Sequence, residues 1–433
     1  RTELGGYFFN KRKAPPKLEI PEINIHKKLL EGTGDREIST TMAFVRILNG
    51  LLKDKKIGGH IVPIISDEAR TFGMEGMFRQ YGIYSAVGQL YEPVDSAQVM
   101  YYREDIKGQI LEEGINEAGA FSAWLAAATS YSTSGYSMVP FYIYYSMFGF
   151  QRIGDLAWAA GDCQARGFLI GATAGRTTLN GEGLQHQDGH SHLQASTIPN
   201  CVSYDPAYAY ELTVIIQDGL HRMYELGENK FYYITTMNEN YVQPAMPEGA
   251  EEGIIQGMYH LRASEGTSKQ RVQLMGAGTI LREVEAAAEI LEANYGIDAD
   301  VWSLTSVNEL QREGKAALRW NLLHPEDEPK VPYVTQQLQS QSGPFIAATD
   351  YMKSYTDQIR EFVPGHFTVL GTDGFGRSDT RGKLRDFFEV SREFVVLAAL
   401  KALADLGQIE PAVAAAAMKD LGISPDKVDP LTV

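Results

Sequence analysis

The chain is expected to be an α/β protein built from two successive domains, each a mostly parallel sheet with helices on both faces. Two observations carry this expectation. Short, nearly continuous apolar runs alternate with stretches of helical spacing, and the alternation begins afresh after a turn-rich acidic passage, Met246-Pro-Glu-Gly-Ala-Glu-Glu-Gly253. Strands buried on both faces read as unbroken apolar runs, and strands alternating with helices imply parallel pairing.

Residues 1–35 are polar, carry Pro15-Pro16 and a Lys/Arg cluster, and read as a linker entering a domain. The chain begins with Arg1 and shows no signal-peptide pattern, so it reads as the later part of something longer. The first domain is placed at residues 36–250. Residues 40–52 space Met42, Phe44, Val45, Ile47, Leu48 and Leu51 as a helix, with Ser39 as N-cap. His60-Ile-Val-Pro-Ile-Ile65 reads as a buried strand ending at Asp67-Glu68. A helix of small residues that must pack closely is expected over residues 117–128, and a strand over residues 139–145. Two further strands are expected at residues 167–170 and 232–236, with a helix near residues 207–224 between them. The second domain is placed at residues 266–433. A strand over residues 272–275 runs into the tight turn Gly276-Ala-Gly-Thr279 with Thr279 as N-cap, and a helix over residues 280–295 is closed by Gly296. Strands follow at residues 300–305, 345–348 and 367–370, and a long helix at residues 394–406.

Composition narrows the function classes. The 433 residues are 44% hydrophobic and 22% charged, enough for ordinary cores. A net charge of −16, from 39 basic and 55 acidic residues, argues against nucleic acid as a partner and against an anionic membrane surface. No apolar run approaches the length of a membrane span. Two cysteines, Cys163 and Cys201, make a disulfide framework unlikely to be the organising principle and point to a reducing, cytoplasmic setting.

The residues that carry chemistry begin with Glu117, in Glu113-Gly-Ile-Asn-Glu117-Ala-Gly-Ala120 at the head of the small-residue helix. Its neighbours leave little polar surface, and burial beside apolar groups raises a carboxyl pKa because it penalises the charged form. The aromatic run Phe141-Tyr-Ile-Tyr-Tyr-Ser-Met-Phe148-Gly-Phe150 follows. Alternation sends part of it to the core, while Tyr145 and Phe148 fall at the strand's C-terminal end, the edge where open α/β sheets place ligands. Arg152, just beyond, is a candidate anion contact. Asp67 lies at the end of another strand, at the same edge; a cap with an ion pair is the plain alternative. The loop Gly183-Leu-Gln-His186-Gln-Asp-Gly-His190-Ser-His192 invites a metal reading, but no cysteine or further histidine pattern supports zinc. A loop histidine serving as proton donor or oxyanion partner fits better. Gly276-Ala-Gly278 is a fragment of a dinucleotide fingerprint and reads as a plain turn. Asp373-Gly-Phe375-Gly lacks a kinase catalytic loop and reads as a rigid polar loop.

With these residues in hand, the chain resembles the pyrimidine-binding and C-terminal domains of the transketolase-like thiamine-diphosphate enzymes. The family's cofactor glutamate matches Glu117, and Asn180-Gly-Glu-Gly-Leu-Gln-His186 is similar to its loop bearing an active-site histidine. Ile38-Ser-Thr-Thr-Met-Ala-Phe-Val45, Asp67-Glu-Ala-Arg-Thr-Phe-Gly-Met-Glu-Gly76, the stretch from Tyr142 to Asp155, and Gly371-Thr-Asp-Gly-Phe-Gly-Arg377-Ser-Asp379 resemble, more narrowly, the homodimeric bacterial decarboxylase components of pyruvate dehydrogenase complexes. One departure matters. The family's Gly-Asp-Gly, which binds metal and diphosphate, does not occur here, so residues 1–35 would lead in from a missing diphosphate-binding domain.

The resemblance implies thiamine diphosphate and Mg2+ as cofactors, with the metal ligands on the missing domain. It implies pyruvate as substrate, a second copy of the subunit in a homodimer, and a lipoyl-bearing acetyltransferase core as acceptor. By it, Glu117 hydrogen-bonds the aminopyrimidine and promotes its imino tautomer, Phe148 stacks on that ring, and Ile115 is the apolar wedge that bends the cofactor. Asp67, Tyr145 and Arg152 contact or line the cofactor site, and His186 manages protons near substrate or lipoyl group. The second domain is expected to serve dimerisation and docking. A related 2-oxo acid decarboxylase, a transketolase and a non-catalytic scaffold are the alternatives.

Overall fold

The computed structural model describes residues 15–66, 69–94 and 102–433. Two parallel-dominated sheets form the frame. The strands of the first are β1 (Ile61–Ile65), β2 (Leu111–Glu112), β3 (Val139–Tyr145), β4 (Phe168–Ala172), β5 (Cys201–Tyr204) and β6 (Phe231–Thr235). They lie in the order β2-β1-β3-β4-β6-β5, all parallel. The second sheet comprises β7 (Met258–Arg262), β8 (Arg271–Gly276), β9 (Asp298–Leu304), β10 (Phe345–Ala348) and β11 (Phe367–Leu370), in the order β7-β9-β8-β10-β11. Only β7, on the edge, runs antiparallel to its neighbour among these described strands. It lies in the stretch between the two expected domains, and the sheet it joins is that of the second.

The helices that position the site are α1 (Thr40–Lys53), α2 (Glu117–Ala128), α3 (Phe150–Asp162), α4 (Ala209–Leu220), α5 (Leu281–Ile290), α6 (Val307–Leu323) and α7 (Arg392–Asp405). Helix α1 starts where the sequence predicts: Ser39 caps it by accepting the Met42 amide at 3.1 Å. Its buried residues Phe44, Ile47, Leu48 and Leu51 pack with Phe141 and Ile143 on one face of the first sheet. Helix α2 covers the other face, where Phe121 and Trp124 meet Tyr142 and Tyr144. The strand β3 is therefore buried on both sides, which is why its sequence is apolar without alternation.

Three expectations need correction. Thr279 does not cap a helix. Gly278–Ile280 is a 3-10 turn, and the Thr279 hydroxyl meets the Met237 sulfur at 2.7 Å. The helix after it runs from Leu281 and continues as a π-helical segment, Leu291–Tyr295, to Gly296, whose φ of +64° closes it as predicted. The stretch read as a linker is not free along its length: Leu18 and Leu29 are buried in the first domain, and the Ile20 amide donates to Glu225 at 3.1 Å. His192 is not a loop residue but sits in a short helix, Ser191–Ser196. Among the described residues, no helix is long and apolar enough to cross a membrane.

The C-terminal edges of the two sheets face each other. Asp205, after β5, donates its amide to Thr305 after β9 at 2.8 Å, and its carbonyl accepts the Gly278 amide, after β8, at 3.2 Å. Asp350, after β10, accepts the amides of Thr177 and Thr178, beyond β4, at 2.8 and 3.0 Å, and both their hydroxyls. Asn308 reaches Ser203 across the same seam at 2.6 Å. Beside the seam, Glu211 of α4 is buried but accepts from Ala207, Tyr208, Tyr259 and Ser303, so its carboxylate is fully bonded.

Candidate active site

Strand β3 delivers the site. Beyond Tyr145 the chain makes a 3-10 turn, Ser146–Phe148, and enters α3 through Gly149. A Cβ at Gly149 would lie 2.3 Å from the Tyr144 ring, so only glycine permits this close turn. The turn presents Phe148, and the first turn of α3 lays the Arg152 guanidinium over its ring, 4.0 Å from the centroid. From the neighbouring helix, Asn116 caps α2 by accepting the Gly119 amide at 3.0 Å. That cap places Glu117 at the first helical position, where a carboxylate also suits the helix dipole. Arg152 Nη1 donates to Glu117 Oε1 at 2.6 Å.

The loop bearing His186 closes the other side. The His186 ring lies 5.0 Å from that of Tyr145 and 5.1 Å from that of Phe148, so three rings meet edge-on or tilted. Tyr145 packs in turn against Phe72 at 5.3 Å. His186 Nδ1 is buried without a hydrogen-bond partner; Glu182 Oε2 lies 3.3 Å away but is not aligned to bond it. An unbonded ring nitrogen facing an aromatic wall is a group ready for another partner.

The structure thus brings together Glu117, Tyr145, Phe148, Arg152 and His186. Glu117 does not stand in the purely apolar surroundings the sequence suggests, because Arg152 pairs with it instead of waiting as a free anion contact. Ile115 projects at the tip of the preceding loop, 78% exposed. Asp67 lies outside the described residues.

Several contributors were not foreseen. Tyr142 is buried beneath the site, and burial together with the charge of Glu117 holds its phenol above the ordinary range. The polar loop at residues 371–379 folds from the second domain onto the His186 loop. The Arg377 amide donates to Gln187 Oε1 at 2.7 Å, and the Ser378 hydroxyl to the Gly181 carbonyl at 2.6 Å. Arg176 fastens the same loop through the carbonyls of Thr372 and Gly374, with Gly189 pressed against its guanidinium. No spacing in the sequence signals contacts made across some 190 residues.

The histidine-rich loop does not gather a metal. His186 faces the aromatic wall, while His192 is buried among Tyr233, Tyr351 and Tyr355. Burial pushes the His192 imidazole down to about 4, against the pull of Asp188. Among the described residues, no three His, Cys, Asp or Glu side chains converge on a point that could hold a metal ion.

Two mostly parallel sheets that face each other at their C-terminal edges make a fold that covers about half of a transketolase. Solved transketolases share it: that of Campylobacter jejuni superposes with a TM-score of 0.61 at 17% identity, over 92% of this chain and 50% of that one. A split-gene transketolase, described as an inactive β4 tetramer, matches with a TM-score of 0.54 at 16% identity, over 85% of this chain and 98% of its own. Residues 18–244 match the family described as the pyruvate dehydrogenase E1 component middle domain, and residues 257–391 the transketolase-like C-terminal domain. The chain belongs to the pyruvate dehydrogenase E1 component family. It is 66% identical over 432 residues to the pyruvate dehydrogenase E1 component of Pseudomonas aeruginosa, covering 100% of this chain and 49% of that protein. It is 61% identical over 433 residues to that of Escherichia coli K12, covering 99% and 48%. The chain spans about half the length of the curated relatives it matches.

Proposed function

We propose that this chain supplies the aminopyrimidine-binding half of an active site for thiamine-diphosphate-dependent oxidative decarboxylation of pyruvate, with reductive acetylation of a lipoyl group on an acetyltransferase core. The convergence of Glu117, Phe148 and His186 on one sheet edge carries the reading. When bound, thiamine diphosphate would supply the electron sink that decarboxylation of a 2-oxo acid requires.

The residues present fit that group. Among the described residues Glu117 has one side-chain hydrogen-bond partner, and that partner is a half-exposed arginine able to swing away. Its carboxyl would then hold a proton, at Oε1, shared with a ring nitrogen. Phe148 and Tyr145 would form an apolar wall that keeps water from the ring, with Ile115 at its border. His186, with Nδ1 unbonded, would move a proton to or from the reacting oxygen. Arg152 would steady Phe148 and exchange partners as Glu117 is engaged. Among the described residues no ligand set for magnesium is gathered, and no step here depends on it.

A second copy of the subunit and residues outside this chain would complete the site, so the chain alone would be inactive. The test is Glu117→Ala in the full-length polypeptide, assayed for pyruvate decarboxylation with thiamine diphosphate and magnesium. Turnover should fall by about 10²–10⁴ in a protein that melts as the parent does. Near-normal turnover would overturn the assignment.

A further inference from the structure

A groove of about 770 Å³ runs along the outer side of α1, between it and residues 25–29. None of its lining residues takes part in the candidate active site. Helix α1 buries Phe44, Ile47, Leu48 and Leu51 and turns Arg46, Asn49, Gly50 and Lys53 outward at i, i+3, i+4 and i+7, one helical stripe. Across from this stripe stand Lys28 and Arg36.

The charge of this groove contradicts that of the chain. The molecule carries −16 overall, yet Lys28, Arg36, Arg46 and Lys53 have no carboxylate partner among the described residues. The one acid in the lining, Glu31, lies 3.4 Å from Lys27 and is matched by it. Partial burial disfavours the charge of Arg46, and the nearby Arg36 adds to that cost. Like charges gathered without a counter-charge are unfavourable in an empty groove and favourable around an anion.

His26 is the second observation. Its ring is 6% exposed and lines the groove, packed so tightly on Gly50 that a Cβ there would come within 2.8 Å of it. Neither ring nitrogen has a hydrogen-bond partner among the described residues. Burial pushes the imidazole down to about 4, so near neutral pH it offers one donor and one acceptor. Beside it, the exposed Ile25 adds apolar surface.

We propose that this groove binds a small molecule bearing two or three linked phosphates, held between Arg36 and Arg46 and contacted by His26. Guanidinium pairs are the side chains best shaped to grip phosphate oxygens. The groove has the volume of a small-ligand site, with room for an organic body against Ile25 beside the phosphates. A nucleic acid is disfavoured, because the rest of a chain at −16 would repel an extended polyanion.

The test uses the full-length polypeptide saturated with thiamine diphosphate and magnesium, and calorimetric titration with ATP, with inorganic pyrophosphate and adenosine as separate arms. Saturable binding of ATP or pyrophosphate at one site, with adenosine silent, is expected. ATP binding more tightly than pyrophosphate assigns the phosphates to a nucleotide, and equal affinity assigns them to a simpler phosphorylated compound. Arg36→Gln and Arg46→Gln should each weaken binding about tenfold, and the pair about a hundredfold. The His26 imidazole, followed by NMR, should titrate at higher pH with the ligand present, a readout that needs no variant to fold. Absence of saturable binding overturns the proposal, as does unchanged affinity in a folded double variant or a His26 titration indifferent to the ligand.

Discussion

Arg152 holds Glu117 by a 2.6 Å hydrogen bond while its guanidinium lies over the Phe148 ring. A single side chain therefore sets both the carboxylate and the aromatic face of the site. Arg152 is 48% exposed, so water and salt screen the pair and its share of folding stability should be at most about 1 kcal/mol. The Arg152→Ala variant should melt close to the parent but, in the full-length polypeptide, bind thiamine diphosphate about tenfold more weakly, because Phe148 loses the group that holds its angle. Differential scanning calorimetry and cofactor titration check the two halves of this statement. Tighter binding would mean that Arg152 competes with the cofactor for Glu117.

The second domain is fastened to the first by charge. Arg385, buried, donates to Glu283 at 3.1 Å and to Glu239, which also receives Arg282 at 3.0 Å. Removing one partner of a buried pair leaves the other uncompensated, at a cost of about 3–5 kcal/mol. Arg385→Met should therefore lower stability by about that amount in urea unfolding, whereas Arg282→Met, at a more exposed rim, should cost far less.

The same cluster predicts an acid limb. Burial works to raise the Glu283 carboxyl, but the hydrogen bond from Arg392 and the charges of Arg385 and Arg392 outweigh it and hold the group below its usual range. A depressed carboxyl contributes stability that is fully present above its unfolded value, about 4.3, and lost as pH falls through the folded value. Glu283→Gln should flatten the stability profile below about pH 4, measured as the unfolding midpoint against pH.

Asp205 has the opposite sign. Burial pushes its carboxyl up to about 8, and the charges of Asp350 and Asp188 add to that, while hydrogen bonds from Thr235 and Tyr351 pull the other way. A raised carboxyl contributes stability that is full below its unfolded value, about 3.9, and drains away as pH rises towards the folded value. The Asp205→Asn variant should remove the decline between about pH 4 and pH 8 and be more stable than the parent at pH 8. A steeper decline in the variant would refute the assignment of that limb to Asp205.

The two thiols should behave differently. Cys163 is exposed, and Cys201 is buried with its thiol pushed up to about 12 by burial. Reaction with a thiol reagent under native conditions should modify Cys163 alone, and unfolding should release the second group.

Much of this fold was legible because the signals were local. Helix α2 and strand β3 occupy the expected residues, since a cap at Asn116 and an unbroken apolar run are properties of adjacent residues. Ser39 and Gly296 end their helices for the same reason. The edge strand β7 and the helices α3 and α6 were not anticipated. The site divides along the same line. Glu117, Tyr145, Phe148, Arg152 and His186 were named from sequence and family likeness, but the ion pair between Glu117 and Arg152 was not. Nor was the grip of the 371–379 loop on the His186 loop, through which the second domain, expected to serve dimerisation and docking, supports the candidate catalytic histidine.

The facing C-terminal edges of the two sheets have a consequence for how this molecule comes apart. Open α/β domains ordinarily offer that edge to a ligand; here the ends of β4 and β5 meet the second sheet, and the end of β3 is left to the candidate site. Cutting the chain near residue 250 would leave Asp350, Asn308 and Ser203 without the partners they meet across the seam. Neither half would retain a dry, bonded interior at that end, so the smallest piece able to stand alone is the pair. Heating should show one calorimetric transition, with calorimetric and van't Hoff enthalpies in agreement.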